Sequence, residues 1–116
     1  MRDDLARLLD IQEAIARIGQ YTAKGRDAFD RDELIQTWVL HHLQIIGEAA
    51  GKLTAEFRAQ HPEVDWSRII GTRNILVHHY FGIDKDVVWE VVRHDLPDLE
   101  SQVASFIDGL QGGSRR

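Results

Sequence analysis

The chain has 116 residues, 43% of them hydrophobic and 28% charged, which suits one compact folded domain and excludes an intrinsically disordered one. It has no cysteine, which removes disulfide scaffolds, thiolate metal sites, cysteine nucleophiles and iron–sulfur clusters together. Fourteen Lys plus Arg against nineteen Asp plus Glu give a net charge of -5, so any nucleic-acid contact needs a local cluster rather than a broad basic surface.

Met1-Arg2-Asp3-Asp4 is charged and leads into no long apolar run, so no secretory signal is expected at this end. No stretch approaches the ~20 apolar residues that cross a bilayer, and the default location is the cytoplasm without membrane partners. Leu5, Leu8, Leu9, Ile11, Ile15 and Ile18 recur at steps of three and four and predict a first amphipathic helix over 5–18. Gly25 and its polar neighbours interrupt it. Asp30, three residues before Glu33, resembles a capping box for a second helix. That helix carries Ile35, Trp38, Val39, His42, Ile45, Ile46 and Ala49 on one stripe, with Gly51 as its expected C-terminal cap.

Residues 52–60 suit a short helix, broken at His61-Pro62-Glu63 because proline lacks a backbone donor. Asp65 is placed to cap the next helix, from about Trp66 to Tyr80, ended by Gly82. Asp84 caps the last one. There Val88, Val91, Val92, Leu96, Leu99, Val103, Phe106 and Ile107 form the apolar face, and Pro97 predicts a kink or break near Asp95. Together these predict an all-α four-helix up-and-down bundle with an extra short helix. It is a single domain over 1–110 with a flexible tail over 111–116. The wide apolar stripes and the load of Trp38, Trp66 and Trp89, all assigned to the core, favour a homodimer.

The densest polar cluster is Arg73-Asn74-Ile75-Leu76-Val77-His78-His79-Tyr80 on the third long helix. At about 100° per residue, Asn74 and His78 share one stripe and Arg73 and Tyr80 a neighbouring one. Arginine binds phosphate bidentately and stays charged; histidine exchanges a proton near neutrality. An RNA phosphodiester carries its own nucleophile, the 2′-hydroxyl. It needs only a base for that hydroxyl, an acid for the leaving 5′-oxygen and a cation for the phosphorane. One histidine per chain is short by one proton-transfer group, and dimerisation would bring two copies of Arg73 and His78 to one cleft.

The stretch Trp66-x-x-Ile69-Ile70-Gly71-x-Arg73-Asn74-Ile75-Leu76-Val77-His78-x-Tyr80 resembles the signature of the HEPN superfamily, and most closely the HepT-like ribonuclease toxins. Ile45-Ile46-Gly47-Glu48-Ala49-Ala50, His61-Pro62, Val88-Trp89-x-Val91 and Asp95-Leu96-Pro97 fit the same resemblance, which covers about residues 1–110. It implies a homodimeric HEPN bundle that cleaves RNA without a metal or other cofactor, as the toxin of a type VII-like toxin–antitoxin pair. Arg73 and His78 match the catalytic pair, and Asn74 matches the supporting polar residue. Tyr80 matches the tyrosine that an MntA-like nucleotidyltransferase antitoxin modifies with AMP. Arg58, Arg68, Arg73 and Arg93 are candidates for a local positive patch.

Other readings stay open. Arg73 and His78 could form a structural network at a dimer interface, in a non-catalytic module that binds a nucleotidyltransferase or a nucleotide. Tyr80 could be a packed aromatic, and Asn74 could only orient His78. His42 lies on the apolar stripe and reads as a hydrogen-bonded core residue. His41 lacks metal-site spacing with it, so no metal is expected. His79 is expected to face solvent or a partner, and Glu48 to make a structural salt bridge.

Overall fold

The computed structural model describes residues 2–71 and 84–112, and every element there is helical. The order is α1 (Arg2–Thr22), α2 (Arg26–Arg31), α3 (Glu33–Gly51), α4 (Ala55–Gln60), α5 (opening at 66 and described to 71), α6 (Lys85–Glu90), a π-helical turn (Val91–Asp95) and α7 (Leu96–Gly112). The all-α bundle is as the apolar stripes predict. The three long described helices bury them against one another: Leu8, Ile11, Ile15 and Ile18 from α1, Ile35, Val39, Leu43 and Ile46 from α3, Leu96, Leu99, Val103 and Ile107 from α7. α1 is the centre, packed on both α3 and α7. Removing this apolar surface from water is the main term holding the bundle together.

Three local readings are corrected. Asp30 does not cap α3; it sits inside α2 and pairs with Arg26 one turn earlier at 2.9 Å. The cap is Asp32, whose carboxylate accepts from the Leu34 N–H at 2.9 Å, in an extended backbone conformation. The terminal carbonyls of α2 are satisfied instead by Gln36 Nε2, which donates to the Phe29 and Asp30 oxygens at 2.9 and 3.1 Å. Gly51 does not end α3 in a left-handed cap. It is the last helical residue, Lys52 follows at φ -92°, and its N–H bonds back to Glu48 O and Ala49 O. This tight closure lets buried Leu53 turn into the core. Finally, α7 runs to Gly112, so the flexible tail expected from 111 is helical for its first two residues; 113–116 lie outside the described residues.

The tryptophans also divide. Trp66 is buried, whereas Trp38 and Trp89 are half-buried, each with one edge at the surface. Trp38 Nε1 donates to the Arg17 carbonyl at 2.7 Å and so ties α3 to α1. His42 is buried, as its place on the stripe predicts, with Nδ1 2.8 Å from the Trp38 carbonyl and its ring against the Trp38 indole.

Pro97 has the expected effect in an unexpected form. In a continuous α-helix its ring would collide with the Arg93 carbonyl. The chain widens into the π-helical turn just before it, so direction is kept while the hydrogen-bond register changes.

Gly25 makes the turn between α1 and α2 at φ 96°. A Cβ there would meet nothing within 4 Å, so Gly25→Ala is opposed by backbone conformation and not by crowding. We expect this variant to lose about 1–2 kcal/mol of stability, read as a lower urea midpoint with an unchanged slope.

Candidate active site

Arg73, Asn74, His78 and Tyr80, with His79 and Gly82, lie outside the described residues, which stop at Gly71 and resume at Asp84. What the structure does describe is how the two ends of that segment are held.

The entry side is built by the sequence from His61 to Gly71. Asp65 caps α5 as predicted, its Oδ1 accepting from the Arg68 N–H at 3.1 Å. The following Trp66 is the anchor. Its indole is buried near Phe57 and Phe106, and its Nε1 donates to the His61 carbonyl at 2.9 Å. His61 itself stacks on Phe106 with ring centroids 4.1 Å apart. The proline break therefore folds the chain back so that a hydrogen bond five residues long fixes where α5 begins. On its exposed side, Arg68 Nη2 meets Asp95 Oδ2 at 2.9 Å, which fastens the first turn of α5 to the π-helical turn. Ile69 and Ile70 are half-buried against the core, and Ile70 lies near Gly51 at the end of α3.

The exit side is held as firmly. Asp84 caps α6 through Oδ1, which accepts from Asp86 N and Val87 N at 3.1 and 3.2 Å. The Asp86 carboxylate pairs with Arg26 of α2, which also holds Asp30, and Lys85 Nζ donates to the Asp30 carbonyl at 3.0 Å. The hydrogen bond to Asp86, then that to Asp30, raise the Arg26 pKa above its ordinary value. The sequence shows these acids and bases but not their pairing, because Arg26 and Asp86 are sixty positions apart.

Of the four arginines expected to form a positive patch, Arg73 lies outside the described residues, and Arg58, Arg68 and Arg93 line three different grooves. Arg58 lines a groove beside Pro62 and Ser67, Arg68 lines a second, and Arg93 a third beside Arg26 and Trp89. Along the π-helical turn, Val91 and Asp95 line one groove and Val92 and Arg93 another. The second groove has a volume of about 200 Å³, an apolar floor that includes Leu43, Ile46 and Leu99, and a rim of Glu63, Asp65, Asp95 and Asp98 around Arg68. Glu48 is half-buried on α3 and has a polar or electrostatic partner. Among the described residues no three His, Asp or Glu are grouped to hold a metal ion, and no helix is long and apolar enough to cross a membrane.

Comparison with known proteins adds the chemistry to this frame. Residues 11–106 match the family model described as "Ribonuclease HepT-like". Over 103 residues, 88% of this chain and 94% of the relative, the sequence is 37% identical to "Putative RNase MJ1380" of Methanocaldococcus jannaschii. It is 38% identical over 96 residues, 82% of this chain and 87% of the relative, to "Probable ribonuclease HepT" of Thermococcus cleftensis. The fold superposes on a chain of the solved structure described as "Crystal structure of the toxin-antitoxin with AMP-PNP". That match has a TM-score of 0.71 and 25% identity, and covers 97% of this chain and 99% of the other.

Proposed function

Because the chain belongs to the ribonuclease HepT-like family, we propose that it is a metal-independent endoribonuclease, the toxin of a toxin–antitoxin pair. It acts as a homodimer whose composite cleft takes Arg73 and His78 from both protomers. The observation that carries this reading is the family match over 11–106, which spans the Arg73–His78 segment between two ends that are each pinned by an ion pair and a capped helix. Such rigid flanks suit a site whose groups must be pre-positioned.

In this reading one His78 takes the proton from the 2′-hydroxyl, whose oxygen attacks phosphorus. The partner protomer's His78 gives a proton to the departing 5′-oxygen. Arg73 stabilises the extra negative charge on the phosphorane, and Asn74 holds His78 in orientation. The bond made is 2′-O–P and the bond broken is P–O5′, so the products are a 2′,3′-cyclic phosphate and a 5′-hydroxyl. No step needs a metal ion. The purified dimer is expected to cleave RNA in excess EDTA and leave cyclic phosphate ends, detected by end-group mapping. Products ending in 3′-hydroxyls would overturn the mechanism.

The antitoxin in this reading is an MntA-like nucleotidyltransferase. The likeness to a chain described with a toxin–antitoxin and AMP-PNP supports a nucleotide-using partner. AMP placed on Tyr80, two residues after His78, would add a negative phosphate beside the catalytic pair and repel the RNA backbone. Mass spectrometry of the chain expressed with and without that partner reads the modification directly.

A second reading, a non-catalytic module that binds its partner, draws on the groove beside Arg68. Four rim carboxylates disfavour a polyanion there and suit a basic protein. An RNA digestion with the isolated dimer separates the two.

A further inference from the structure

The groove beside the π-helical turn differs in chemistry from the carboxylate-rimmed one. It has a volume of about 610 Å³, within the usual range of small-ligand sites, and no Asp or Glu lines it. Arg26 and Arg93 both line it, one from the start of α2 and one from the π-helical turn. Trp89, Val92 and Pro97 supply its apolar surface. Arg93 is exposed and makes no ion pair among the described residues. Arg26 is locked in place by Asp30 and Asp86 through Nε and Nη2. Trp89 is half-buried, braced on Phe29 with centroids 5.4 Å apart, and still reaches the groove.

We propose that this groove binds a nucleotide of single-stranded RNA outside the scissile linkage, with its base on Trp89 and its phosphate on Arg93. The inference rests on the nuclease reading for its choice of polymer. The local chemistry favours a nucleotide over an acidic peptide. A peptide carboxylate would use Arg93 but has no counterpart for the indole, whereas a nucleotide offers a phosphate and a π-face a few ångströms apart. Among the described residues Arg93 supplies the free cation, because Arg26 is taken up by Asp30 and Asp86, neither of which lines the groove. Arg26 bounds the groove as a fixed wall. The groove also answers the charge problem posed by the composition. In a chain of net charge -5, a groove lined by Arg93 and by no Asp or Glu lets a phosphate meet a cation without a facing carboxylate.

The test uses the His78→Ala dimer, so that RNA stays intact, and fluorescence anisotropy with a labelled single-stranded 12-mer in EDTA across a salt series. Arg93→Glu is expected to weaken binding about tenfold and to lower the salt slope by about one. Arg93→Lys, which keeps the charge, should recover most of that loss. Lys52→Glu, an equal charge change at an exposed site that does not line the groove, should alter affinity less than twofold. RNA carrying 4-thiouridine should crosslink to the peptide that contains Trp89. If His78→Ala binds RNA and Arg93→Glu binds equally well, or Lys52→Glu weakens binding as much, this groove is not an RNA site and the nuclease reading stands. If Arg93→Glu impairs only the complex with a protein partner, the groove is a protein dock and the proposal falls. If the wild-type dimer neither binds nor cleaves RNA, both readings fail together.

Discussion

Replacing His78 with alanine is expected to slow RNA cleavage by about 10²- to 10⁴-fold, the range lost when a positioned acid or base is removed. The helical circular dichroism should be unchanged. The size of the loss follows from the reaction. Attack by a neutral 2′-hydroxyl and departure of an unprotonated 5′-oxygen are both unfavourable near neutral pH, and the imidazole relieves each. Arg73→Ala should fall in a similar range, because phosphorane charge then builds up without a cation. Mixing the two inactive variants gives a sharper result. If the cleft is shared, an Arg73→Ala/His78→Ala heterodimer still holds one arginine and one histidine and should regain part of the rate. A mixture as inactive as its components would show that a cleft with one arginine and one histidine does not turn over. A His78→Ala rate within tenfold of the parent would remove the histidine from the chemistry.

Asp4→Ala is expected to be the most damaging single polar substitution among the described residues. Asp4 is 1% exposed in the first turn of α1, and its carboxylate accepts from the Thr54 N–H and hydroxyl, both at 2.8 Å. The same Thr54 hydroxyl accepts from the Phe57 N–H and so caps α4. Removing the carboxylate leaves a backbone donor without an acceptor, loosens the cap and opens a small void in one step. The combined loss is about 3 kcal/mol. For a domain of this size that is a fall of about 10 °C or more in Tm. Thr54→Val should weaken the same unit, and the double variant should lose less than the sum of the singles. Strict additivity would show that the two residues act separately.

These two residues mark what a sequence displays and what it conceals. The stripes of α1, α3 and α7 were readable because buried positions recur with the helical period. Asp65 and Asp84 were readable as caps because each precedes a clear apolar run. Between Gly25 and Glu33 the reading failed. Asp27, Asp30 and Asp32 are all chemically able to cap, and a helix of six residues is too short for periodicity to choose among them. The Asp4–Thr54 and Trp38–Arg17 contacts were invisible because they join positions 50 and 21 residues apart. Which groove each of Arg58, Arg68 and Arg93 lines is set by the tertiary packing, and Arg26 entered the argument only through the fold. At the candidate site, the order of Arg73, Asn74, His78 and Tyr80 carries the family resemblance only together with the flanking pieces between Ile45 and Pro97. The caps at Asp65 and Asp84 had a local sign; the Arg68–Asp95 and Arg26–Asp86 ion pairs at the two ends had none.

The widened turn at Val91–Asp95 constrains evolution by length as well as by composition. Its wide winding accommodates one residue more than a standard α-helical path would. Deleting that residue would return the stretch to α-helical winding and leave the helices on either side in register. The cost would fall at Pro97, whose ring would then press on a carbonyl one turn earlier. A one-residue gap there should therefore be tolerated far better when Pro97 is replaced as well.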